Sequence, residues 1–295
     1  MCATCGCGDD GATITAMWGH SPGKLGAHPP DGPTRAAQGR QGDARAKSGQ
    51  PQSGNGHPHG HTHPHDHDHE HPHTETISLE QKVLAKNDVL AEQNRQWLAE
   101  RGILAFNMTS SPGAGKTTLL ERTIRHLGSQ RQISVIEGDQ ETLLDAERIT
   151  AAGARAVQVN TGAGCHLDAE MIDRALHTLA PDSGSLLFIE NVGNLVCPAL
   201  FDLGEHSKVV VISVTEGTDK PLKYPHMFAA AGLVLINKTD LMPYVDFDLD
   251  RCAQHARSVN PSVEILPVSA TKGDGLDAWF QWIDARANEL RVTVA

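Results

Sequence analysis

The feature that most restricts this chain is the run SSPGAGKT at 110–117, set between an apolar stretch at 103–108 (ILAFNM) and a stretch with helical patterning. Strand, glycine-rich turn, Gly-Lys-Thr and helix, in that order, is the context that separates a phosphate-binding loop from a chance match. It calls for a strand that ends at the loop and a helix whose positive N-terminal end faces the phosphates. The backbone of Gly113, Ala114 and Gly115 then surrounds the phosphates, with Thr118 in the first helical turn. Lys116 reaches the β- and γ-phosphates, and the Thr117 hydroxyl ligates Mg²⁺. The first glycine of the usual pattern is replaced by Ser110, which requires an ordinary backbone conformation there.

The rest of the chain supplies the matching sheet. Apolar runs fall at 103–108, 132–136, 156–160, 186–190, 208–214, 233–237 and 264–268, and helical patterning at 116–128, 141–152, 166–179, 224–231 and 274–291. Continuous apolar strands separated by helices imply an α/β fold, a mostly parallel doubly wound sheet covered on both faces. Ahead of it, from residue 77, Val83, Leu84, Leu90, Ala91, Trp97 and Leu98 recur at sevens and predict a core-packing helix ending at Gly102. Residues 77–295 are the expected P-loop nucleotide-binding domain, long enough for one core.

The base-reading residues lie further on. Asn237, Lys238 and Asp240 follow the strand Leu233–Ile236 and resemble the N-K-x-D motif of GTPases, in which a carboxylate at Asp240 accepts from guanine N1 and the exocyclic amine. Adenine offers neither donor and would leave that carboxylate unpaired. Ser269 and Ala270, in VSATK at 268–272, form a second and looser base loop. GTP and GDP are therefore expected rather than ATP. Two acidic turns are available for Mg²⁺: Glu137-Gly138-Asp139, and Glu190 three residues ahead of Gly193, which resembles the D-x-x-G switch of GTPases with Glu for Asp and would offer the Gly193 N–H to the γ-phosphate. No glutamine is placed to orient water, so hydrolysis is expected to be slow.

Three further segments suggest soft metals. Cys2, Cys5 and Cys7 lie within six residues, and removal of Met1 would add the Cys2 amine. That set suits square-planar Ni²⁺, with tetrahedral Zn²⁺ the commoner default. Residues 9–56 have no apolar periodicity and read as a disordered linker. A histidine tract follows across 57–76: His57, His59, His61, His63, His65, His67, His69, His71 and His73, interleaved with Asp66, Asp68 and Glu70. Imidazole and carboxylate both donate to divalent cations, so metal storage is favoured over a solvated spacer. Cys165-His166 follows the 162–164 turn, and Cys197 lies four residues beyond Gly193. The ordinary reading is a small buried thiol and a structural histidine; the other is a metal site. Cys252 is read as structural.

The charge balance narrows the partners. A net charge of -11 disfavours a nucleic-acid backbone. No apolar stretch approaches the ~18 residues that cross a bilayer, so no membrane is expected, and no secretory signal is visible. The cytoplasm is the expected compartment.

MCATCGC, the histidine tract, SSPGAGKTT, EGDQETLLDAERI, GAGCHLDAEM, FIENVGNLVCP, TEGTDKPLKYP and NKTDL together resemble the HypB family of hydrogenase nickel-incorporation GTPases. The resemblance covers the N-terminal tip and 77–295. It implies a P-loop GTPase of the signal-recognition-particle and MinD-like class that forms a GTP-dependent homodimer. It also implies delivery of nickel to the [NiFe]-hydrogenase large subunit together with the accessory protein HypA. Carried onto this sequence, Cys2, Cys5 and Cys7 match a tight nickel site, and Cys165, His166 and Cys197 match a metal site in the GTPase domain. Lys116, Thr117, Asp139 and Glu190 match the phosphate and Mg²⁺ groups, while Asn237, Lys238 and Asp240 match the guanine readers. A urease-type nickel GTPase would carry Cys-Pro-His where this chain has Cys165-His166. A storage protein whose nucleotide domain sets only its oligomeric state is the alternative from another class.

Overall fold

The computed structural model describes residues 12–17, 72–139, 143–162 and 164–294, the backbone alone at 72–80 and 291–294. β2 (Leu104–Ser110) is buried at every position, as expected of a strand covered on both faces. Its odd-even pleat divides the interior. Leu104, Phe106 and Met108 pack with α2 (Lys116–Leu127), α3 (Leu144–Ala152) and α8 (Leu276–Val294). On the other face, apolar side chains form two separate groups. One joins Ile103 and Ala105 to α4 (Ala169–Leu179); the other joins β6 (Ser207–Ser213) and β7 (Leu233–Asn237) to α6 (Pro225–Ala229) and α7 (Leu249–Val259).

Among the described residues the sheet has eight strands, in the order β1-β4-β3-β5-β2-β6-β7-β8. Here β3 is Ile133–Asp139, β4 Arg155–Asn160, β5 Leu186–Glu190 and β8 Glu264–Pro267. Every pair is parallel except β1 (Thr13–Ala16), which runs antiparallel to β4. The seven expected strands and the doubly wound arrangement are present. β1 corrects the reading of 9–56 as a linker throughout. Its TITA sequence needs only one neighbour at a sheet edge, and four residues are too few to show a period. No helix among the described residues is long and apolar enough to cross a membrane.

The helix α1 (Pro72–Glu100) begins inside the histidine tract and differs from the expected apolar face. Its buried line is Asn87, Ala91, Asn94 and Leu98, whereas Val83 is 46% exposed. The asparagines are buried because they close backbone groups of other segments. Asn87 accepts from Ala169 N–H at 2.9 Å and donates to Asp202 C=O at 2.8 Å. Asn94 donates to Ala169 C=O at 2.9 Å and Leu203 C=O at 3.1 Å. Each such group would be costly to bury without its bond. α1 therefore ties the start of α4 to the 202–204 loop.

Candidate functional site

The phosphate loop leaves the end of β2 at the carboxyl edge of the sheet. Ser110 has no left-handed backbone, as its replacement of glycine requires, while Gly115 sits at φ +98°. A Cβ on Gly115 would lie 2.5 Å from Asn237 Nδ2, so glycine is needed here for both conformation and space. Lys116 Nζ donates to Ser110 Oγ at 2.8 Å, which holds the ammonium at the mouth of the loop. Thr118 accepts from Arg148 at 3.1 Å.

The base-reading residues close onto this loop. Asn237 donates to Ala114 C=O at 2.8 Å and accepts from Ala270 N–H at 3.0 Å, joining the two segments. Lys238, in the left-handed region at φ +61°, donates to Gly113 C=O at 2.7 Å. Asp240 accepts from Ser269 Oγ at 2.6 Å. Residues separated by more than 120 positions thus form one cradle, with a carboxylate at the end where a guanine would lie.

The acidic turns resolve into a pair. Glu137 and Glu190 face each other in register on β3 and β5, and both are buried. Glu190 Oε1 accepts from Thr117 Oγ1 at 2.7 Å; Glu190 Oε2 and Glu137 Oε2 are buried with no hydrogen-bond partner. Burial, with Glu190 beside it, pushes the Glu137 carboxyl up to about 9. Burial also raises Glu190, against the pull of Lys116 and Thr117. Two orphaned carboxylate oxygens next to a P-loop threonine fit a hard divalent cation such as Mg²⁺, which takes oxygen donors. Asp139 ends β3 two residues beyond Glu137. Gly193 backs onto the phosphate loop: a Cβ there would lie 3.2 Å from Pro112 Cα.

Cys165, His166 and Cys197 come together. Their ligand atoms lie within 4.8 Å of one another, with the two thiols 3.0 Å apart and His166 Nδ1 3.7 Å from Cys165 Sγ. The sulfurs are well beyond disulfide length. Burial lowers the His166 pKa, favouring the neutral form that ligates metals. The ring rests on Phe201, centroids 4.0 Å apart. Three N/S donors can share one soft or borderline ion and leave a further position open. Asn194 donates to Cys165 C=O at 3.2 Å and accepts from Val196 N–H at 2.8 Å, so the 190–197 segment holds both limbs of the cluster. Cys252 is buried in α7, as expected of a structural thiol, and burial raises it to about 11.

Cys2, Cys5 and Cys7, and His57, His59, His61, His63, His65, His67, His69 and His71, lie outside the described residues; of His73 only the backbone, in α1, is described. Glu137 was visible in the sequence as the start of Glu137-Gly138-Asp139, but its pairing with Glu190 was not. Asn194 carried no local signal.

Comparison with known proteins follows the same outline. Residues 104–267 match the nucleotide-binding domain of the CobW/HypB/UreG family. The chain is 49% identical over 288 residues to the hydrogenase maturation factor HypB of Escherichia coli K12, covering 97% of this chain and 99% of that protein. It is 57% identical over 211 residues to the HypB of Rhizobium leguminosarum bv. viciae, covering 72% and 71% of the two chains. Among solved structures, HypB of Archaeoglobus fulgidus superimposes with a TM-score of 0.65 at 40% identity, over 69% of this chain and 99% of that one. HypB of Helicobacter pylori, solved in complex with nickel, gives 0.65 at 35% identity, over 69% and 96%.

Proposed function

Because this chain belongs to the CobW/HypB/UreG family, among its HypB hydrogenase maturation factors, and is a GTPase, we propose that it stores Ni²⁺ and delivers it to the [NiFe]-hydrogenase large subunit at moments set by the bound nucleotide. One observation carries the reading. Cys197 shares a cluster with Cys165 and His166 and follows by four residues the turn at Gly193, which lies against the phosphate loop.

In this reading Asn237, Lys238 and Asp240, with Ser269 and Ala270, hold guanine. Gly113, Ala114, Gly115 and Thr118 surround the phosphates, and Lys116 turns from Ser110 onto the β- and γ-phosphates. Thr117, Glu190, Glu137 and Asp139 hold Mg²⁺, which supplies neutralisation of phosphate charge when bound. Water adds to the γ-phosphorus as the bond to the bridging oxygen breaks, giving GDP and phosphate. With no glutamine placed to orient that water among the described residues, turnover is slow. Gly193 donates its N–H to the γ-phosphate; when that group leaves, the 190–197 segment shifts and Cys197 moves relative to Cys165 and His166.

The H. pylori relative solved in complex with nickel supports Ni²⁺ as the cargo, and the N/S donors of this cluster suit it, with Zn²⁺ its competitor for the same donors. Cys2, Cys5 and Cys7 form a separate tight nickel site, and the histidines from His57 to His73 a store. The partners are HypA and the large subunit in the cytoplasm, with a second copy of the chain joined across the cluster in the GTP state. The test is nickel titration of the full-length chain carrying Cys2→Ser, Cys5→Ser and Cys7→Ser, read by thiolate charge-transfer absorption, to which the histidines do not contribute. Affinity should differ by about 5–150-fold between GDP and a non-hydrolysable GTP analogue. Equal affinities would mean that nucleotide does not time metal release.

A further inference from the structure

Between the two apolar groups on one face of the sheet lies a row of buried polar side chains. Asn107 on β2 and Lys208 on β6 are register partners at the centre of the sheet. Asn191 donates to Asn107 Oδ1 at 3.3 Å, and Asn107 donates to Glu205 Oε1 at 3.0 Å. The Lys208 ammonium lies 3.8 Å from the same Glu205 oxygen. Glu205 Oε2 accepts from Leu203 N–H at 2.8 Å, and Lys208 donates to Pro198 C=O at 2.8 Å and Phe201 C=O at 3.2 Å. All four residues are at most 8% exposed.

The two ends of this row fall on the two sites. Asn191 directly follows Glu190; its Oδ1 accepts from Leu167 N–H at 3.2 Å, next to His166, and from Val192 N–H at 2.9 Å. The other end grips the carbonyl of Pro198, adjacent to Cys197, and that of Phe201, whose ring packs on His166. Stability does not account for such a row. Burying Lys208 and Glu205 carries a desolvation penalty, and apolar side chains of equal volume would join β2 to β6 as well or better. Directional bonds differ from apolar packing in another respect: a displaced donor drags or abandons its acceptor, so a shift at one end must be met along the row.

We infer that Asn107, Glu205 and Lys208 are positioning residues that pass a shift of Asn191 to the Cys197–Phe201 side of the metal cluster, coupling nucleotide state to metal affinity. The inference rests on the nucleotide-timed reading above. Asn194 links the 190–197 segment to Cys165 directly; this second route reaches Cys197 through the core.

The experiment uses the same full-length triple-serine chain, with Glu205→Gln alone and with Glu205→Gln/Lys208→Met, which removes the buried charges together. Nickel affinity is measured with GDP and with the GTP analogue, and nucleotide affinity without nickel. In both variants the ratio of the two nickel affinities should fall to less than half of the parent's roughly fivefold or more, the direct route through Asn194 remaining, while nucleotide affinity stays unchanged. A lowered nickel affinity with the ratio preserved would mean that the row is only structural and would overturn the inference, leaving nucleotide timing intact. A parent with no ratio would overturn the timing itself and the relay with it. Should the double variant fail to bind nucleotide, Glu205→Gln alone decides, since it keeps the shape and the lysine.

Discussion

Glu137 and Glu190 meet where two parallel strands place carboxylates side by side in a dry interior, and the consequence is a retained proton. The Glu137 carboxyl, ordinarily near 4.5, is pushed up to about 9 in the folded chain by burial and by Glu190. The folded state therefore holds a proton that the unfolded chain releases once pH passes about 4.5, and stability falls as pH rises from there toward about 9. One such proton gives a slope of up to ~1.4 kcal/mol per pH unit. Denaturant unfolding of the nucleotide-free protein between about pH 6 and 8 should show this decline, and Glu137→Gln should flatten it. An unchanged slope in the variant would place the proton elsewhere. The contiguous motifs, SSPGAGKT and the Asn237, Lys238, Asp240 set, were legible because each packs its chemistry into a few neighbouring positions. Glu137 was legible only as a member of a triplet. Strand register, which decides that it meets Glu190, is a long-range property, and a strand buried on both faces leaves no alternation from which to read it.

The strands were legible as elements for the same reason that register was not: each is an unbroken apolar run between turns. α1 shows where that logic stops. Hydrophobic period marks Val83 and Leu90, yet the line that docks carries Asn87 and Asn94, whose value lies in backbone groups of α4 and the 202–204 loop. No property of α1 alone announces those partners. Gly204 makes the docking possible. It sits at φ +89°, and a Cβ would approach Ala91 C=O to 2.6 Å and Asn94 Cβ to 2.7 Å. Gly204→Ala should cost ~1–3 kcal/mol from backbone strain alone. Amide exchange should quicken along 87–98 in α1 while β2 keeps its protection. Equal loss of protection in both would mean that α1 and the sheet unfold as one unit.

Across the whole molecule, the parallel topology brings the phosphate loop, the Glu137–Glu190 pair and the base-reading loop to the carboxyl ends of the strands. That convergence was legible, because strand-loop-helix order alone places successive loops on one edge. The edge strand β1 was not, and its direction sets a reach. Thr13 lies opposite Asn160 and Ala16 opposite Val157, so the chain enters β1 from the same edge that carries the nucleotide loops. Cys7 precedes Thr13 by six residues, which span at most ~20 Å, and Asn160 precedes Cys165 by only five. If Cys2, Cys5 and Cys7 form the proposed nickel site, so short a leash would present it to the Cys165, His166 and Cys197 donors at an effective concentration of order millimolar, whatever the protein concentration. Nickel passing between them should follow first-order kinetics that dilution leaves untouched. Lengthening the 8–12 segment by ~20 Gly/Ser residues should slow it, as the local concentration falls with tether length. A rate that rises with protein concentration would mean that the metal crosses between molecules. Anchored by four residues at a sheet edge, the proposed N-terminal donors would then serve as an internal reagent of the GTPase rather than a separate vessel for metal.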